Sequence, residues 1–150
     1  MSVTDFDVPD FDLATWRRGR TLPEPSRLSR PFWEGLAEGR LMVQRCAECD
    51  QHVFRPEEAC IRCLATALEW VPSSGTGVVY AHSVVYRAPH PDVVVPFVVA
   101  CVEVDSAWHL MTNVVGCAPE DVYGGLPVRL RVERIDDLHL PLFEPDRERR

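Results

Sequence analysis

From Val78 onward the chain alternates apolar and polar positions, the signature of half-buried strands, whereas before Gly39 its apolar residues fall at helical spacing. Val78, Tyr80, His82, Val84 and Tyr86 predict one face of a strand, and Val79, Ala81, Ser83 and Val85 the other. Phe97 to Val104 and Leu110 to Val115 read as two further strands. Val128, Leu130 and Val132 alternate with Arg129, Arg131 and Glu133, predicting a strand with one wet face. Short strands divided by Gly75, Gly77, Gly116, Gly124, Gly125 and several prolines point to a small antiparallel barrel.

Upstream, Ser29 to Gly39 predicts a short helix: Pro31 suits its first turn, Gly39 suits its end, and Phe32, Trp33 and Leu36 fall on one side as a docking face. Leu41 to Arg45 then reads as a strand. Residues 1–29 are rich in proline and acidic residues and predict an arm, with a short helix near Phe11 to Arg18. Phe6, Phe11, Leu13 and Trp16 are its apolar anchors. The expected organisation is an arm and docking helix over 1–40, a metal ribbon over 41–72 and a barrel over 73–146, mainly β in class.

The strongest chemical signal lies between helix and barrel. Cys46-Ala-Glu-Cys49 and Cys60-Ile-Arg-Cys63 form a C-x2-C-x10-C-x2-C pattern. Each Cys-x-x-Cys turn lets two thiolates converge on one ion, and two such turns complete a tetrahedral set with Zn–S distances near ~2.3 Å. Four protein ligands leave no open position for water, so the site is expected to hold a structural Zn²⁺ rather than a catalytic one; iron suits the same four thiolates. A pair of disulfides is the alternative, which the paired spacing and the absence of a signal-like segment weigh against. Cys101 lies in an apolar run and reads as a packed residue, and neither it nor Cys117 has a recognisable base beside it.

Charge narrows the functional classes. The chain of 150 residues carries 16 basic and 23 acidic side chains, a net −7, and contains no lysine, which excludes Schiff-base chemistry on a lysine amine. A chain this acidic would need its arginines confined to one face to bind a polyanion, so nucleic acid is not the expected partner. No apolar stretch is long enough to span a bilayer, no membrane association is expected, and a cytoplasmic location is. Between two predicted strands, Tyr86-Arg-Ala-Pro-His-Pro91 holds Arg87 and His90 in a proline-braced loop, a place suited to meeting an anionic ligand; solvated loop residues, or Arg87 paired with Asp92 or Glu103, are the plainer reading. Asp136-Asp137 reads as a turn. No phosphate loop, serine-nucleophile motif or paired-carboxylate signature is present.

Taken in order, "RPFWEGL", "LMVQRCAECDQHVFRPEEACIRC", "GTGVVYAHSVVYRAPHP", "PFVVACVEVD", "HLMTNVVGCAPEDVYGGLPVRL" and "LPLFEP" resemble domain of unknown function family thirty-five over roughly residues 28–146. The chain departs from that family at Ser106-Ala107-Trp108, where a glycine turn is usual. The resemblance implies a rubredoxin-like zinc ribbon joined to an OB-fold, and an accessory role beside thiolase-fold enzymes acting on acyl-coenzyme A. Those enzymes include lipid-transfer-protein-like thiolases and retro-aldolases of steroid side-chain breakdown; a hot-dog-fold hydratase is the alternative partner. On this reading the chain has no catalytic residues. Arg87, His90 and, less directly, Asn113 face a coenzyme A ester shared with the partner, and Phe11, Trp16, Phe32 and Trp33 dock on it. The rival readings are a nucleic-acid-binding protein, a free-standing enzyme using Cys101 or Cys117, and a stand-alone acyl-coenzyme A carrier.

Overall fold

The computed structural model describes residues 11–149, so the arm anchor Phe6 lies outside the described residues. The arm's helix, α1 (Leu13–Arg17), starts where Asp12 accepts hydrogen bonds from the backbone of Ala14 (3.0 Å) and Thr15 (3.3 Å), satisfying donors that a helix start leaves open. The Thr15 hydroxyl also donates to Asp12, and this bond holds the carboxyl below its usual range. Five residues are too few to be helical unaided. Long-range contacts hold α1: Arg17 bonds Asp136 at 3.1 Å, and the Arg131 guanidinium sits 4.9 Å over the Phe11 ring. The chain then turns at Gly19 (φ +68°), where a Cβ would meet the backbone N of Val93 at 2.9 Å.

The second helix, α2 (Arg30–Ala37), has Pro31 in its first turn and closes on Gly39 (φ +76°), as its composition predicts. Ser29 leaves the helix N–H groups alone; its Oγ accepts from the Trp33 indole at 3.1 Å. A three-stranded sheet follows, β1 (Met42–Cys46), β2 (His52–Val53) and β3 (Leu68–Pro72), in the order β2-β1-β3.

The remaining five strands close a barrel: β4 (Thr76–Val85), β5 (Phe97–Val104), β6 (Trp108–Val114), β7 (Pro127–Ile135) and β8 (Leu138–Pro145). Their order is β4-β5-β6-β8-β7, with β7 returning to β4 through pairs such as Gly77↔Val128. All pairings are antiparallel except β6–β8, which meet in parallel at Val114↔Phe143. In β5 the alternation holds throughout, with Val98, Ala100, Val102 and Val104 buried. The Asp136-Asp137 turn joins β7 to β8, and Asp136 takes a positive φ of 54°.

Three departures from the predicted pattern have physical causes. In β4 a bulge between Val79 and Ala81 breaks the two-face alternation, and Tyr80, Ala81, His82 and Ser83 are all exposed. The strand β8 escapes a reading by alternation because Pro141 and Pro145 interrupt it, yet both residues sit in register against β7, at Val132 and Val128. The hairpin after β5 makes its turn without glycine, by placing Asp105 (φ 54°) and Ser106 (φ 53°) in the left-handed region. The Asp105 carboxylate accepts from Ser73 Oγ at 2.6 Å and from the Ser74 backbone at 3.2 Å, tying the hairpin to the β3–β4 linker.

Helix, ribbon and barrel share one core. Phe32 of α2 lies 5.5 Å from Phe54, which follows β2, and Phe54 lies 5.2 Å from Trp108 of the barrel, ring centre to ring centre. Leu36, Leu41 and Val43 join Val102, Val128 and Phe143 in the same buried cluster. The tightest backbone approach is at Gly77, where a Cβ would come within 2.2 Å of the Glu103 carbonyl oxygen. Because that obstacle is backbone, Gly77→Ala is expected to force β4 and β5 apart and cost about 1–3 kcal/mol, as overpacking does. Urea unfolding followed by far-ultraviolet circular dichroism checks this; an unchanged midpoint would contradict the close approach.

Candidate functional site

The cysteine cluster is built from two turns of the same shape. In the first, the Asp50 N–H reaches the Cys46 carbonyl (2.9 Å) and the Cys46 N–H reaches the Gln51 carbonyl (2.9 Å). In the second, the Leu64 N–H reaches the Cys60 carbonyl (3.0 Å) and the Cys60 N–H reaches the Ala65 carbonyl (2.8 Å). Both turns reverse through a left-handed residue, Asp50 (φ 61°) and Leu64 (φ 63°). The chain thus folds back over its own sulfurs twice, once after β1 and once after the loop that follows β2.

The four Sγ atoms of Cys46, Cys49, Cys60 and Cys63 lie within 4.8 Å of one another. Cys46 is 3.6 Å from Cys63, and Cys49 is 3.6 Å from Cys60. Four sulfurs at ~2.3 Å from a tetrahedral ion would be about 3.8 Å apart, so the arrangement fits a metal ion without rearrangement. Cys46 and Cys60 are buried, Cys49 is half-buried and Cys63 is exposed.

The electrostatics are those of a site that needs a cation. The backbone N–H of Cys63, with that of Arg62, pulls the Cys60 thiol down to about 6. At Cys49 the Gln51 N–H also favours the thiolate, but burial and the three neighbouring sulfurs outweigh it and push the thiol up to about 12. Four adjacent sulfurs cannot all carry negative charge unless a positive ion sits among them. Of the arginines beside the turns, Arg45 stands 3.7 Å from Asp50 and is substantially exposed.

The ligand-facing residues expected from sequence do not form one site. Arg87 and His90 stand exposed in the β4–β5 loop. His90 Nδ1 accepts from the Asp92 N–H at 3.2 Å. Arg87 makes no ion pair among the described residues, so the pairing with Asp92 or Glu103 is not formed; Asp92 stands 3.6 Å from His90, and Glu103 stands 3.7 Å from His109. Asn113, on β6, donates its amide to the Val98 carbonyl at 2.7 Å. It lines a different surface, a cleft of about 760 Å³ that neither Arg87 nor His90 reaches.

The expected docking residues meet their own chain. Phe32 is only 4% exposed and belongs to the core, because helical spacing identifies an apolar face without naming what covers it. Trp33 packs edge-on against Phe32 at 5.0 Å and lines the cleft. Phe11 and Trp16 are half-buried on the barrel side of the arm, 6.3 Å apart. Sequence reasoning missed Arg20, whose guanidinium carbon lies 4.3 Å over the Trp16 ring and 4.2 Å over the Phe97 ring. Its four-residue spacing from Trp16 was the available signal. The cleft runs between the arm, α2, Phe54 and strands β6 and β8.

Two family models match, "ChsH2, rubredoxin-like zinc ribbon domain" over residues 33–69 and "ChsH2, C-terminal OB-fold domain" over residues 70–133. The chain is similar to a probable enoyl-CoA hydratase alpha subunit of Thermomonospora curvata, 40% identical over 116 residues, covering 76% of this chain and 36% of that one. It is similar to a DUF35 domain-containing scaffold protein of Methanocaldococcus jannaschii, 33% identical, covering 70% of this chain and 77% of the other. It is also similar to the 3-oxo-4,17-pregnadiene-20-carboxyl-CoA hydratase alpha subunit of Mycobacterium tuberculosis, 34% identical, covering 83% of this chain. The chain spans 36% and 40% of the two hydratase subunits' own lengths. Among solved structures it resembles a chain of the "Ltp2-ChsH2(DUF35) aldolase" with a TM-score of 0.74 and 37% identity, covering 83% of this chain and 98% of that one. With its zinc-ribbon cysteine cluster and closed five-stranded barrel, the chain belongs to the DUF35/ChsH2 family.

Proposed function

We propose that this chain is a non-catalytic accessory subunit of a thiolase-like acyl-coenzyme A enzyme of steroid or lipid side-chain degradation, stabilising its partner and helping to form the acyl-coenzyme A channel. The observation that carries this is its likeness, over 98% of the other chain, to a chain named together with an Ltp2 aldolase. Carbon–carbon bond chemistry would then reside in the partner. The two curated hydratase alpha subunits favour a second partner, a hot-dog-fold hydratase. Arg87 and His90 would meet the anionic part of the shared ligand from the β4–β5 loop, and the half-buried Trp33, Trp16 and Phe11 would contribute to docking through their remaining exposed edges.

Cys46, Cys49, Cys60 and Cys63 would hold one Zn²⁺ as a structural ion. The ion neutralises clustered thiolates and contributes folding energy to a ribbon whose own apolar cluster is only Cys46, Val53 and Cys60 with a few half-buried neighbours. A nucleic-acid role is disfavoured by the barrel's arginine row. Arg129 bonds one Glu144 oxygen at 3.0 Å and Arg131 the other at 3.1 Å, and Arg131 also pairs with Glu133, so the two cations are matched by two carboxylates. Among the described residues no helix is long and apolar enough to cross a membrane.

Three measurements test this reading. Cys46→Ser is expected to lose the bound zinc, from one ion per chain to near none by elemental analysis, and to lose the ribbon's near-ultraviolet circular dichroism; a metal-free variant that kept the signal would refute the structural role. Affinity capture of the chain from its own cells, with mass spectrometry of the bound chains, is expected to recover a thiolase-like enzyme in near-equal amount. A hydratase recovered instead would select the second partner, and a bare monomer would leave the carrier or nucleic-acid reading. Arg87→Ala is expected to lower turnover of the assembled enzyme about tenfold while the complex stays intact on gel filtration, the loss of one charge-assisted hydrogen bond. Unaltered kinetics would remove Arg87 from the ligand's path.

A further inference from the structure

The chain carries a net −7, yet the cleft between arm and barrel has no Asp or Glu among its described lining residues. Its charged walls are two arginines, Arg20 and Arg55. His109 stands at its edge beside Glu103, 3.7 Å away. A smaller cavity of about 400 Å³ adjoins it across Trp33 and Phe54; there Arg55 is shared, and Glu24 and Glu57 are among the walls. Positive charge is thus concentrated at the larger cleft, against the balance of the chain.

Arg20 is the group whose requirements are unmet. Its ring contacts to Trp16 and Phe97 fix the guanidinium plane, and its Nε donates to the Trp16 carbonyl at 2.7 Å. Its two terminal nitrogens make no hydrogen bond among the described residues, and no carboxylate there pairs with it. Burial lowers its pKa, the mark of a cation moved partly out of water with no carboxylate beside it. A rigid guanidinium with two parallel donors free is matched to the two oxygens of a carboxylate or phosphate.

The side chains of Thr112 and Asn113 in the cleft are already bonded within the chain, whereas the buried Trp16 Nε1–H has no hydrogen-bond partner among the described residues. Thr112 Oγ1 donates to the Pro141 carbonyl at 2.7 Å, and the Asn113 amide to Val98. Much of the remaining lining is apolar, from Trp33, Phe54, Met111, Leu140 and Leu142, with Thr21 and His109 among it. Met111 is 74% exposed, a large apolar side chain left facing outward. A cleft of about 760 Å³ falls within the range of small-molecule sites, roughly 300–1,000 Å³.

We propose that this cleft binds a small amphipathic anion, an apolar body ending in a carboxylate or phosphate, with Arg20 pairing the charged end and Arg55, beside Phe54, adding to the field. The site is separate from Arg87 and His90 and does not rest on the identity of the partner enzyme. The arm, through Trp16 and Arg20, is then part of the binding site as well as a segment packed on the barrel.

Isothermal titration calorimetry on the whole chain tests this with four probes: dodecanoate and dodecyl phosphate below their micelle concentrations, dodecanol below its solubility limit, and inorganic phosphate. At least one of the two amphipathic anions is expected to bind with one-to-one stoichiometry, at least tenfold more tightly than dodecanol, and inorganic phosphate alone is expected not to bind. The tighter of the two identifies the head group as carboxylate or phosphate. Arg20→Gln is expected to weaken the anion at least tenfold with dodecanol unchanged. Because that change also removes the contacts to Trp16 and Phe97, Arg55→Gln at an exposed position serves as the second variant, with an expected loss of about threefold and an unchanged melting temperature. Dodecanol binding as tightly as the anions, no binding of either anion, or anion affinity unchanged in both variants would overturn the proposal. The titration uses the chain alone, so its failure leaves the partner reading to be judged by affinity capture.

Discussion

Four sulfurs held within 4.8 Å of one another are the constraint on which the ribbon, and through it the seating of α2 on the barrel, depends. They join the end of β1 to a turn fourteen residues later and so fix the loop between, including Phe54. Phe54 touches both Phe32 and Trp108, which makes it the bridge between α2 and the barrel. Without the cluster held closed, a two-residue strand and a small apolar patch would have to position that ring, and they bury too little to do so. A structural metal ion can contribute on the order of 10 kcal/mol here, comparable with the whole stability of an ordinary domain.

The arm is secured by different means, and the absence of lysine bears on them. Arg17 pairs with Asp136, Arg131 lies over Phe11, and Arg20 lies over Trp16 and Phe97. The guanidinium is flat and weakly hydrated, so it packs on an aromatic ring while keeping donors free, which an ammonium does poorly. Exposed contacts of this kind are individually weak, on the order of 0.5–1 kcal/mol each. The arm is therefore held by several small contacts, whereas α2 is held by burial of Phe32 and Leu36.

The parts legible in the sequence are those set by short-range rules. The two Cys-x-x-Cys turns are fixed by spacing alone, and the helix from Arg30 by a proline at its start and a glycine after its end. Strand β5 was readable as a short apolar run, although its alternating burial was not, because nearly every residue in it is apolar. Strand β8 was hidden because its prolines mimic a loop, and they are tolerated because the strand meets β6 at only one pair. The bulge at Val79 and the inward path of Phe32 depend on residues far away in sequence, Val102 and Phe54 among them. Arg20 escaped notice for the same reason: half of its environment, Phe97, lies on β5. Arg87, His90 and Asn113 were grouped by the resemblance, and the fold separates them between a loop and a cleft wall.

The claim that the metal cluster fixes the ribbon, and through Phe54 the docking of α2, is tested most directly by hydrogen–deuterium exchange on the whole chain with and without a strong zinc chelator. The account predicts that chelation strips protection from residues 42–72 and weakens it over Arg30–Ala37, while the β4–β8 barrel keeps its slow-exchanging amides. Unchanged protection in the ribbon, or loss of the barrel together with it, would contradict the account.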